Sequence, residues 1–410
     1  MPGGVSSPVR AYPPYPRFVR SGKGSRIVDV DGKEYVDYCM AFGPLILGHA
    51  PAPVVRAVKR AVEDGSLFGA PTEKEVLLGE KIREHYPAAE MMRFVSTGTE
   101  ATMHAIRLAR GFTKRKKIIK VDGGFHGAHD SMLVKAGSGA VASGRPGSLG
   151  VLDDTAKHTV VVPFNDIGAV RTAIDEAKED VAAMILEPVL GNIGPVAPED
   201  DYLGELRELT EERDVLLILD EVITGFRLGL GGAQEMFGIR PDLFTLGKIV
   251  GGGYPMGVLA GRKDMMENLA PMGGVYQAGT FSGNPISVTA GLETVRELER
   301  RGYGQLERMS GKLREGLEEV VSSSSLDCQV SGVGSMFQVF FTKARIRNLA
   351  DVQTSNTRRF AKMFDCLLAG NIYVPSSQFE TNFLSMAHTD KDVRLTIDAY
   401  ENALKGAVTG

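Results

Sequence analysis

The sequence predicts an α/β protein in which helices cover a mainly parallel β-sheet, followed by a smaller α+β part. Two observations indicate the sheet. From about residue 92, short apolar runs alternate with amphipathic helical segments, and these runs have no polar face, which is typical of strands buried on both sides of a parallel sheet. A third observation indicates the smaller α+β part. After about residue 302 the order of predicted elements becomes helix, strands, helix, short strands and helix.

The length of 410 residues predicts more than one domain, because domains usually contain roughly 100–200 residues. We expect residues 1–50 to form an N-terminal arm and a hairpin that pack with the small domain. Residues 51–301 are predicted to form the large domain, and residues 302–410 the small C-terminal domain.

The elements before the sheet are an arm, a hairpin and helices. Residues 1–25 are rich in Pro, Gly and Ser, which predicts an extended arm. Ile27–Val30 and Tyr35–Tyr38 flank Asp31-Gly32, a pair that favours a tight hairpin turn. Apolar residues at helical spacing within residues 54–82 then predict two helices.

The remaining elements follow from apolar runs and their spacing. The expected strands of the sheet are Met92–Ser96, Lys117–Val121, Val181–Leu186, Val215–Leu219 and Phe244–Leu246. The expected helices between them include Thr99–Gly111 and Tyr202–Asp214, and small-domain strands are expected near Cys328–Val330 and Ser335–Phe341. Residues 123–157 are rich in glycine and have no predicted element. A stretch of this length is a functional lid, a disordered segment or a surface excursion.

The composition argues against several classes of function. With 47 Lys+Arg against 51 Asp+Glu, the net charge is −4, whereas a nucleic-acid-binding protein needs a basic face. No apolar run approaches the roughly 18–20 residues of a membrane span. The 3 cysteines and 7 histidines lack metal-ligand spacing, so we expect no metal site. The first residues do not resemble a secretory signal, and a cytoplasmic protein is expected.

Lys248 is the first candidate catalytic residue. It follows the apolar run Phe244–Leu246 and precedes Gly251–Gly257, a stretch whose small residues leave space. Most lysines are surface charges. A lysine in a partly dry pocket, however, loses its proton more easily and can form a Schiff base.

Asp220 is the second candidate, because it ends the apolar run Val215–Leu219. Open α/β sheets bind ligands at this edge. A buried carboxylate there needs a cationic partner, either a metal or a protonated pyridine nitrogen. The alternative is that Asp220 only caps the helix that follows.

Ser96–Ala101 joins a predicted strand to a predicted helix. Amides and hydroxyls at a helix N-terminus bind phosphate oxygens, which makes this segment a candidate phosphate site; it can also be a simple helix cap. Phe125 and His126 follow another strand, and an aromatic side chain there could stack on a ring. Alternatively, Phe125 could be an ordinary core residue and His126 a polar loop residue.

Together these residues supply a phosphate cradle, a carboxylate for a ring nitrogen and a lysine, all at strand–helix junctions. A pyridoxal 5′-phosphate enzyme needs these parts, since the protein contributes anchoring and electrostatics to the cofactor's chemistry. Asp220 would keep the ring nitrogen protonated. Lys248 would hold the aldehyde and then transfer protons as a general acid–base.

Over almost its whole length the chain resembles the class III aminotransferases of fold type I, and within them the glutamate-1-semialdehyde 2,1-aminomutases. The matching motifs are Pro2–Arg10, Gly43–His49, Phe68–Glu73, Gly98–Thr102, Leu133–Gly139, Gly279–Pro285 and Ser377–Glu380. The lysine and Asp-Glu-Val motifs are shared by the wider class. Ser7–Arg10, Gly69–Glu73 and Lys135–Gly139 are narrower and favour the aminomutase branch.

The resemblance assigns cofactor roles to residues on several segments. It implies that Gly98 and Thr99 bind the cofactor phosphate. Val222 would lie against the cofactor ring, Phe125 would stack on the ring, and Asn192 would line the pocket. Phe125 stands where many relatives have tyrosine. Thr280 would reach the phosphate in the neighbouring subunit, so that a homodimer shares its active sites.

The resemblance also assigns the substrate side. Arg10 would pair with the substrate carboxylate, for which a bidentate guanidinium is well suited. Ser7, Phe42 and Glu380 would line the substrate pocket, with Phe42 standing where many relatives have tryptophan.

The implied activity is conversion of the amino-aldehyde (S)-4-amino-5-oxopentanoate, glutamate 1-semialdehyde, to 5-aminolevulinate for tetrapyrrole synthesis. The amino group moves by way of 4,5-diaminovalerate while the cofactor alternates with pyridoxamine 5′-phosphate. Residues of about 128–157 would form a gating loop that retains the diamine. A glutamyl-tRNA reductase is the candidate upstream partner. One alternative is a class III transaminase of a β- or ω-amino acid with an external keto acid, and another is a binding or regulatory protein with this fold.

Overall fold

The structure, a computed structural model, describes residues 1–12, 15–134 and 147–408. The strands are β1 (Val19–Lys23), β2 (Arg26–Asp29), β3 (Glu34–Asp37), β4 (Met91–Val95), β5 (Lys117–Val121), β6 (Thr159–Val162), β7 (Val181–Leu186), β8 (Leu216–Glu221), β9 (Leu243–Gly247), β10 (Gly257–Gly261), β11 (Gln329–Val333), β12 (Met336–Phe340), β13 (Ile372–Tyr373) and β14 (Asn382–Phe383). The α-helices are α1 (Ala52–Glu63), α2 (Glu73–His85), α3 (Gly98–Thr113), α4 (Asp153–Ala156), α5 (Ile167–Glu176), α6 (Tyr202–Glu212), α7 (Gly232–Phe237), α8 (Lys263–Met266), α9 (Pro285–Arg301), α10 (Gly304–Ser323), α11 (Leu349–Gln353), α12 (Thr357–Ala369) and α13 (Asp390–Val408).

The largest sheet has the strand order β4-β10-β9-β8-β7-β5-β6. Neighbouring strands from β6 to β9 run parallel, whereas β10 runs antiparallel to both β4 and β9. The predicted, mainly parallel α/β sheet is therefore confirmed. Sequence reasoning missed β6 and β10. In β10 the glycines at both ends, Gly257 and Gly261, resemble turn residues.

Both faces of this sheet are covered, which explains its continuous apolar strands. Successive side chains of a strand point to opposite faces. Ile118 accordingly joins the apolar cluster that contains Leu108 of α3, while its neighbour Ile119 joins the cluster on the other face. That second cluster also contains Leu78 of α2 and Val288 of α9. Polar residues at the ends of these strands are therefore exceptions to their apolar composition.

A second sheet joins the two ends of the chain, with the order β1-β2-β3-β13. The predicted hairpin is present as the antiparallel pair β2–β3. The arm before it is not extended throughout, because it contains 3-10 turns at Pro2–Gly4 and Pro8–Arg10. Its last part is the extended strand β1, which pairs with β2. Ile372 of β13 pairs in parallel with Val36 of β3, and this pairing brings the segment after α12 beside the N-terminal strands.

A third sheet, β11-β12-β14, belongs to the C-terminal part and contains the two strands expected there. The division into residues 1–50, 51–301 and 302–410 remains a prediction. Among the described residues, none of the helices is long and apolar enough to cross a membrane.

The stretch 123–157, which has no predicted element, is partly described. It contains a short 3-10 turn at Asp130–Met132 and the one-turn helix α4. Residues 135–146, with the Lys135–Gly139 motif and much of the predicted gating loop, lie outside the described residues.

Candidate active site

A cavity of about 210 Å³ opens where the carboxyl ends of β7, β8 and β9 face the N-terminus of α3. We call it the inner cavity. It is lined by Thr97, Gly98, Thr99, Thr102, Phe125, Gly127, Glu187, Asn192, Asp220, Val222, Ile223 and Lys248. The structure thus brings together most of the cofactor-site residues that the sequence predicted, from segments about 150 positions apart.

Asp220 lies near the end of β8 and is 3% exposed. One carboxylate oxygen, Oδ1, accepts hydrogen bonds from the Val222 amide and the Thr245 hydroxyl, both at 3.1 Å. The other, Oδ2, lies 2.8 Å from Nδ1 of His126. These contacts fix the carboxylate in the cavity wall. Asp220 does not cap a helix, because a turn follows β8 and the next described helix, α7, begins only at Gly232.

His126 lies behind Asp220 and is not among the residues that line the inner cavity. Its side chain is fully buried, and its backbone carbonyl accepts a 2.6 Å hydrogen bond from the Thr102 hydroxyl. Its Nε2 has no hydrogen-bond partner within the described part of the chain. The position therefore suits a residue that orients Asp220, rather than one that touches a cofactor directly.

Lys248 follows β9 and adopts φ 48, in the left-handed region. Such a conformation is uncommon for a residue with a side chain and tends to occur at functional sites. Burial lowers the pKa of Lys248, against the opposing influence of the carboxylates of Glu187, Glu380 and Asp220. A lowered pKa increases the fraction of neutral amine, which is the nucleophilic and basic form.

The N-terminus of α3 forms the opposite wall. Thr97 caps the helix by accepting a 3.0 Å hydrogen bond from the Glu100 amide. The first amides of a helix have no partner inside it, and they attract anions. At Gly98 an added Cβ would lie 3.1 Å from a methyl of Val222, so glycine keeps this end of the helix open to a ligand.

Gly127 closes the cavity from the side of the 123–157 stretch. It has φ +89, and an added Cβ would lie 2.6 Å from the Cα of Thr99. Both facts require glycine here, because the backbone passes directly over the helix N-terminus. The next amide, that of Ala128, donates to the Thr99 hydroxyl at 3.2 Å.

Glu187 is a buried cavity residue that sequence reasoning missed. Its carboxylate accepts hydrogen bonds from the Phe125 amide (2.9 Å), the Gly191 amide (3.0 Å) and the Asn192 side chain (2.9 Å). Burial raises its pKa. The signal was present, because the apolar run Val181–Leu186 ends in this carboxylate just as Val215–Leu219 ends in Asp220.

A second cavity, of about 300 Å³, contains Arg10 and Phe42. We call it the outer cavity; residues 9–49 line one part of it and residues 364–376 the other. The two cavities approach each other at Gly43, where an added Cβ would lie 3.4 Å from Cδ of Lys248. The turn before Gly43 has three successive side-chain-bearing residues with positive φ: Met40 (44), Ala41 (56) and Phe42 (65).

The remaining predicted site residues are Glu380, Ser7 and Thr280. Glu380 is 8% exposed and acts on Lys248 through its charge. Ser7 precedes the 3-10 turn that carries Arg10. Thr280 is exposed, and within the described residues neither Ser7 nor Thr280 lines a cavity described here.

The inner cavity fits a pyridoxal phosphate. The helix N-terminus with Gly98 and Thr99 suits the phosphate, the buried carboxylate of Asp220 suits a protonated ring nitrogen, and the lysine amine suits the aldehyde. Phe125 is 39% exposed although it is large and apolar, so its ring is free to stack on another ring.

Comparisons with known proteins agree with this geometry. The profile of the aminotransferase class-III family matches residues 8–364. A glutamate-1-semialdehyde 2,1-aminomutase of Methanococcoides burtonii is 54% identical over 406 residues, covering 99% of this chain and 96% of that protein.

Solved structures share the fold. An omega-transaminase from Sphaerobacter thermophilus has a TM-score of 0.92 at 34% identity, covering 100% of this chain and 95% of that one. A variant of the glutamate-1-semialdehyde-aminomutase from Pseudomonas aeruginosa PAO1, in complex with PMP, has a TM-score of 0.86 at 26% identity, covering 96% of this chain and 88% of that one. The chain belongs to the class-III aminotransferase family.

Proposed function

We propose that this chain is a pyridoxal-phosphate-dependent glutamate-1-semialdehyde 2,1-aminomutase. It converts (S)-4-amino-5-oxopentanoate to 5-aminolevulinate for tetrapyrrole synthesis. The observation that carries the proposal is the position of Lys248, whose amine lies in the inner cavity while its Cδ borders Gly43 beside the outer cavity. The choice of substrate rests on the near-complete likeness to proteins with this name.

When bound, the cofactor supplies an electron-withdrawing ring and a group that accepts or donates the amine. Gly98 and Thr99 would hold its phosphate at the N-terminus of α3. Asp220, oriented by His126, would keep the ring nitrogen protonated. Val222 and Phe125, which both line the inner cavity, would pack against the ring.

Lys248 moves the protons. Its lowered pKa increases the fraction of neutral amine, the form that can accept a proton from one substrate carbon and return it later. The two carbons that exchange the amino group, C4 and C5, are adjacent, and one lysine can therefore reach both.

The outer cavity holds the rest of the substrate. Arg10 binds the carboxylate with its guanidinium, and Phe42 and Ser7 shape the path along the chain. Glu380 and Asn192 complete the wall near the reacting end. The diamine 4,5-diaminovalerate must stay bound between the two halves of the reaction, a task that the resemblance assigns to the gating loop of about residues 128–157.

We also propose that two copies of the chain form a homodimer with shared active sites, in which Thr280 reaches the phosphate of the neighbouring subunit. Exposed apolar side chains near Thr280 support this, including Tyr276 (70% exposed) and Phe281 (59%). Phe68 (53%) belongs to the same surface, because Asn284 donates to the Ser66 carbonyl at 3.0 Å. In the cytoplasm, a glutamyl-tRNA reductase is the candidate supplier of the unstable aldehyde.

A single-substrate assay tests the proposal. The protein is loaded with the amine form of the cofactor and mixed with glutamate 1-semialdehyde, without any other amine or keto acid. Sustained formation of 5-aminolevulinate over many turnovers is expected, and Lys248→Ala is the matched inactive control. A single turnover followed by a stalled aldehyde-form spectrum would contradict the proposal.

That stalled outcome would favour the second candidate, a class III transaminase of a β- or ω-amino acid. Its supporting observation is the fold likeness to an omega-transaminase. The two candidates share Lys248 and Asp220 and differ in whether the first product must leave. Restoration of turnover by an external keto acid and an ω-amino acid would establish the transaminase.

A further inference from the structure

Lys120 is a buried lysine that the proposed chemistry does not use. It lies in β5 and has no exposed surface. Its ammonium donates hydrogen bonds to three backbone carbonyls, those of Gly124 at 2.9 Å, Met132 at 3.3 Å and Val134 at 3.2 Å. A single side chain thus ties together both ends of the segment 124–134.

This segment forms part of the inner cavity. Phe125 lines the cavity, and its amide donates to Glu187 at 2.9 Å. Gly127 crosses closely over Thr99, and the Ala128 amide donates to the Thr99 hydroxyl at 3.2 Å. The position of the segment therefore decides where the stacking ring and the wall beside the helix N-terminus lie.

Lysine is chemically suited to this task. Its ammonium has three donors and no acceptor, which matches three carbonyls that converge on one point. Buried carbonyls without partners are costly, so an apolar side chain here would leave the segment poorly held. Burial lowers the pKa of Lys120 to about 8, against the opposing charges of Glu187 and Asp122, and the ammonium form predominates at neutral pH.

We propose that Lys120 is a positioning residue whose ammonium closes the segment 124–134 onto β5 and thereby holds Phe125 and the Gly127 backbone at the inner cavity. The assignment goes beyond the proposed reaction and does not depend on which amino compound is turned over.

Hydrogen exchange of the holoenzyme at pH 7 tests it. Lys120→Met removes the donors at similar size, Lys120→Arg keeps the charge and donors, and Lys116→Met, an exposed lysine just before the same strand, is the matched control. Peptides covering residues 124–134 should exchange about tenfold faster or more in Lys120→Met. Peptides from α3 should be unchanged, Lys120→Arg should restore much of the protection, and Lys116→Met should behave as wild type. Wild-type protection in Lys120→Met would overturn the proposal.

The wild type carries a second test that does not require the Met variant to fold. An ammonium held by three carbonyls inside the closed segment can react with an amine-selective reagent only when the segment opens, whereas the exposed Lys116 reacts freely. At pH 7, modification of Lys120, measured by peptide mass spectrometry, should be at least about tenfold slower than that of Lys116. In dilute urea it should speed up in step with exchange of residues 124–134. Modification of Lys120 as fast as that of Lys116, or no link to exchange of this segment, would overturn the proposal.

Discussion

The inner and outer cavities are built in opposite ways, although Gly43, next to Phe42 of the outer cavity, approaches Lys248 of the inner one. The inner cavity consists of strand ends and a helix N-terminus of the central sheet, with side chains such as Asp220 fixed by several hydrogen bonds. The outer cavity is assembled from the first 50 residues, from Phe364 of α12 and from the segment after α12. Its Arg10 is exposed, and its turn at Met40–Phe42 has three positive φ angles.

This difference separates two tasks. Cofactor chemistry needs groups held rigidly at fixed positions, which the regular edge of a buried sheet supplies. Substrate choice needs a surface that can differ between relatives without disturbing that edge. Loops and chain ends supply such a surface, because they tolerate change. Damage to the inner cavity should therefore abolish chemistry, whereas damage to the outer cavity should change binding.

The largest effect is expected for Lys248→Ala. Removal of the amine eliminates both the attachment point and the proton carrier, and positioned acid–base catalysis alone is worth about 10²–10⁴-fold. We expect kcat for 5-aminolevulinate formation to fall by at least about 10⁴-fold, with circular dichroism unchanged. Lys263→Ala, at an exposed lysine, should retain normal activity. A Lys248→Ala enzyme with an ordinary rate would remove the lysine from the mechanism.

Asp220→Asn keeps the shape of the side chain but removes its charge. A hydrogen bond to a charged group is worth about 1.5–3 kcal/mol, so kcat and cofactor affinity should each fall by about a hundredfold at most. The measurement is kcat at saturating cofactor together with cofactor titration by absorbance. Asp220→Glu should recover part of the loss. If the Asn variant matches wild type in both quantities, the carboxylate serves only the fold.

Arg10→Ala should act on the outer cavity alone. Because Arg10 is exposed, water screens its interaction with the substrate carboxylate. We expect KM to rise about tenfold while kcat changes little, as judged by steady-state kinetics. Arg20→Ala, at another exposed arginine in β1, is the control. An unchanged KM in Arg10→Ala would move carboxylate recognition to another residue.

The smallest effect concerns the strained turn of the outer cavity. Ala41 has φ 56, a conformation that costs a side-chain-bearing residue about 1–2 kcal/mol, while glycine loses about 0.5–1 kcal/mol in conformational entropy on folding. Ala41→Gly should therefore raise the free energy of unfolding by up to about 1 kcal/mol in denaturant titrations. Ala399→Gly, within α13, should lower it by about 1 kcal/mol. A destabilised Ala41→Gly variant would show that the methyl group of Ala41, rather than strain, dominates at this turn.

Much of the inner cavity was predictable because its signals are local. An apolar run that ends in a polar residue indicates the end of a strand. Asp220 and Lys248 both lie at such positions. Glu187 lies at one too and was missed, since a glutamate followed by proline carries no distinctive motif. Lys120 was missed for a different reason: a lysine within a strand reads as a surface charge until the three carbonyls around it are seen.

The sequence by itself determined the α/β class, most strands and helices of the central sheet, and the residue types of the cofactor site, because hydrophobic period and strand-end residues are properties of short segments. Tertiary structure decided which distant segments meet. The pairing of β13 with β3, the approach of Gly43 to Lys248 and the placement of His126 behind Asp220 join residues tens to hundreds of positions apart. Such contacts depend on how whole elements pack. The free energy that stabilises them comes from many contacts throughout the core, so neither segment alone predicts them.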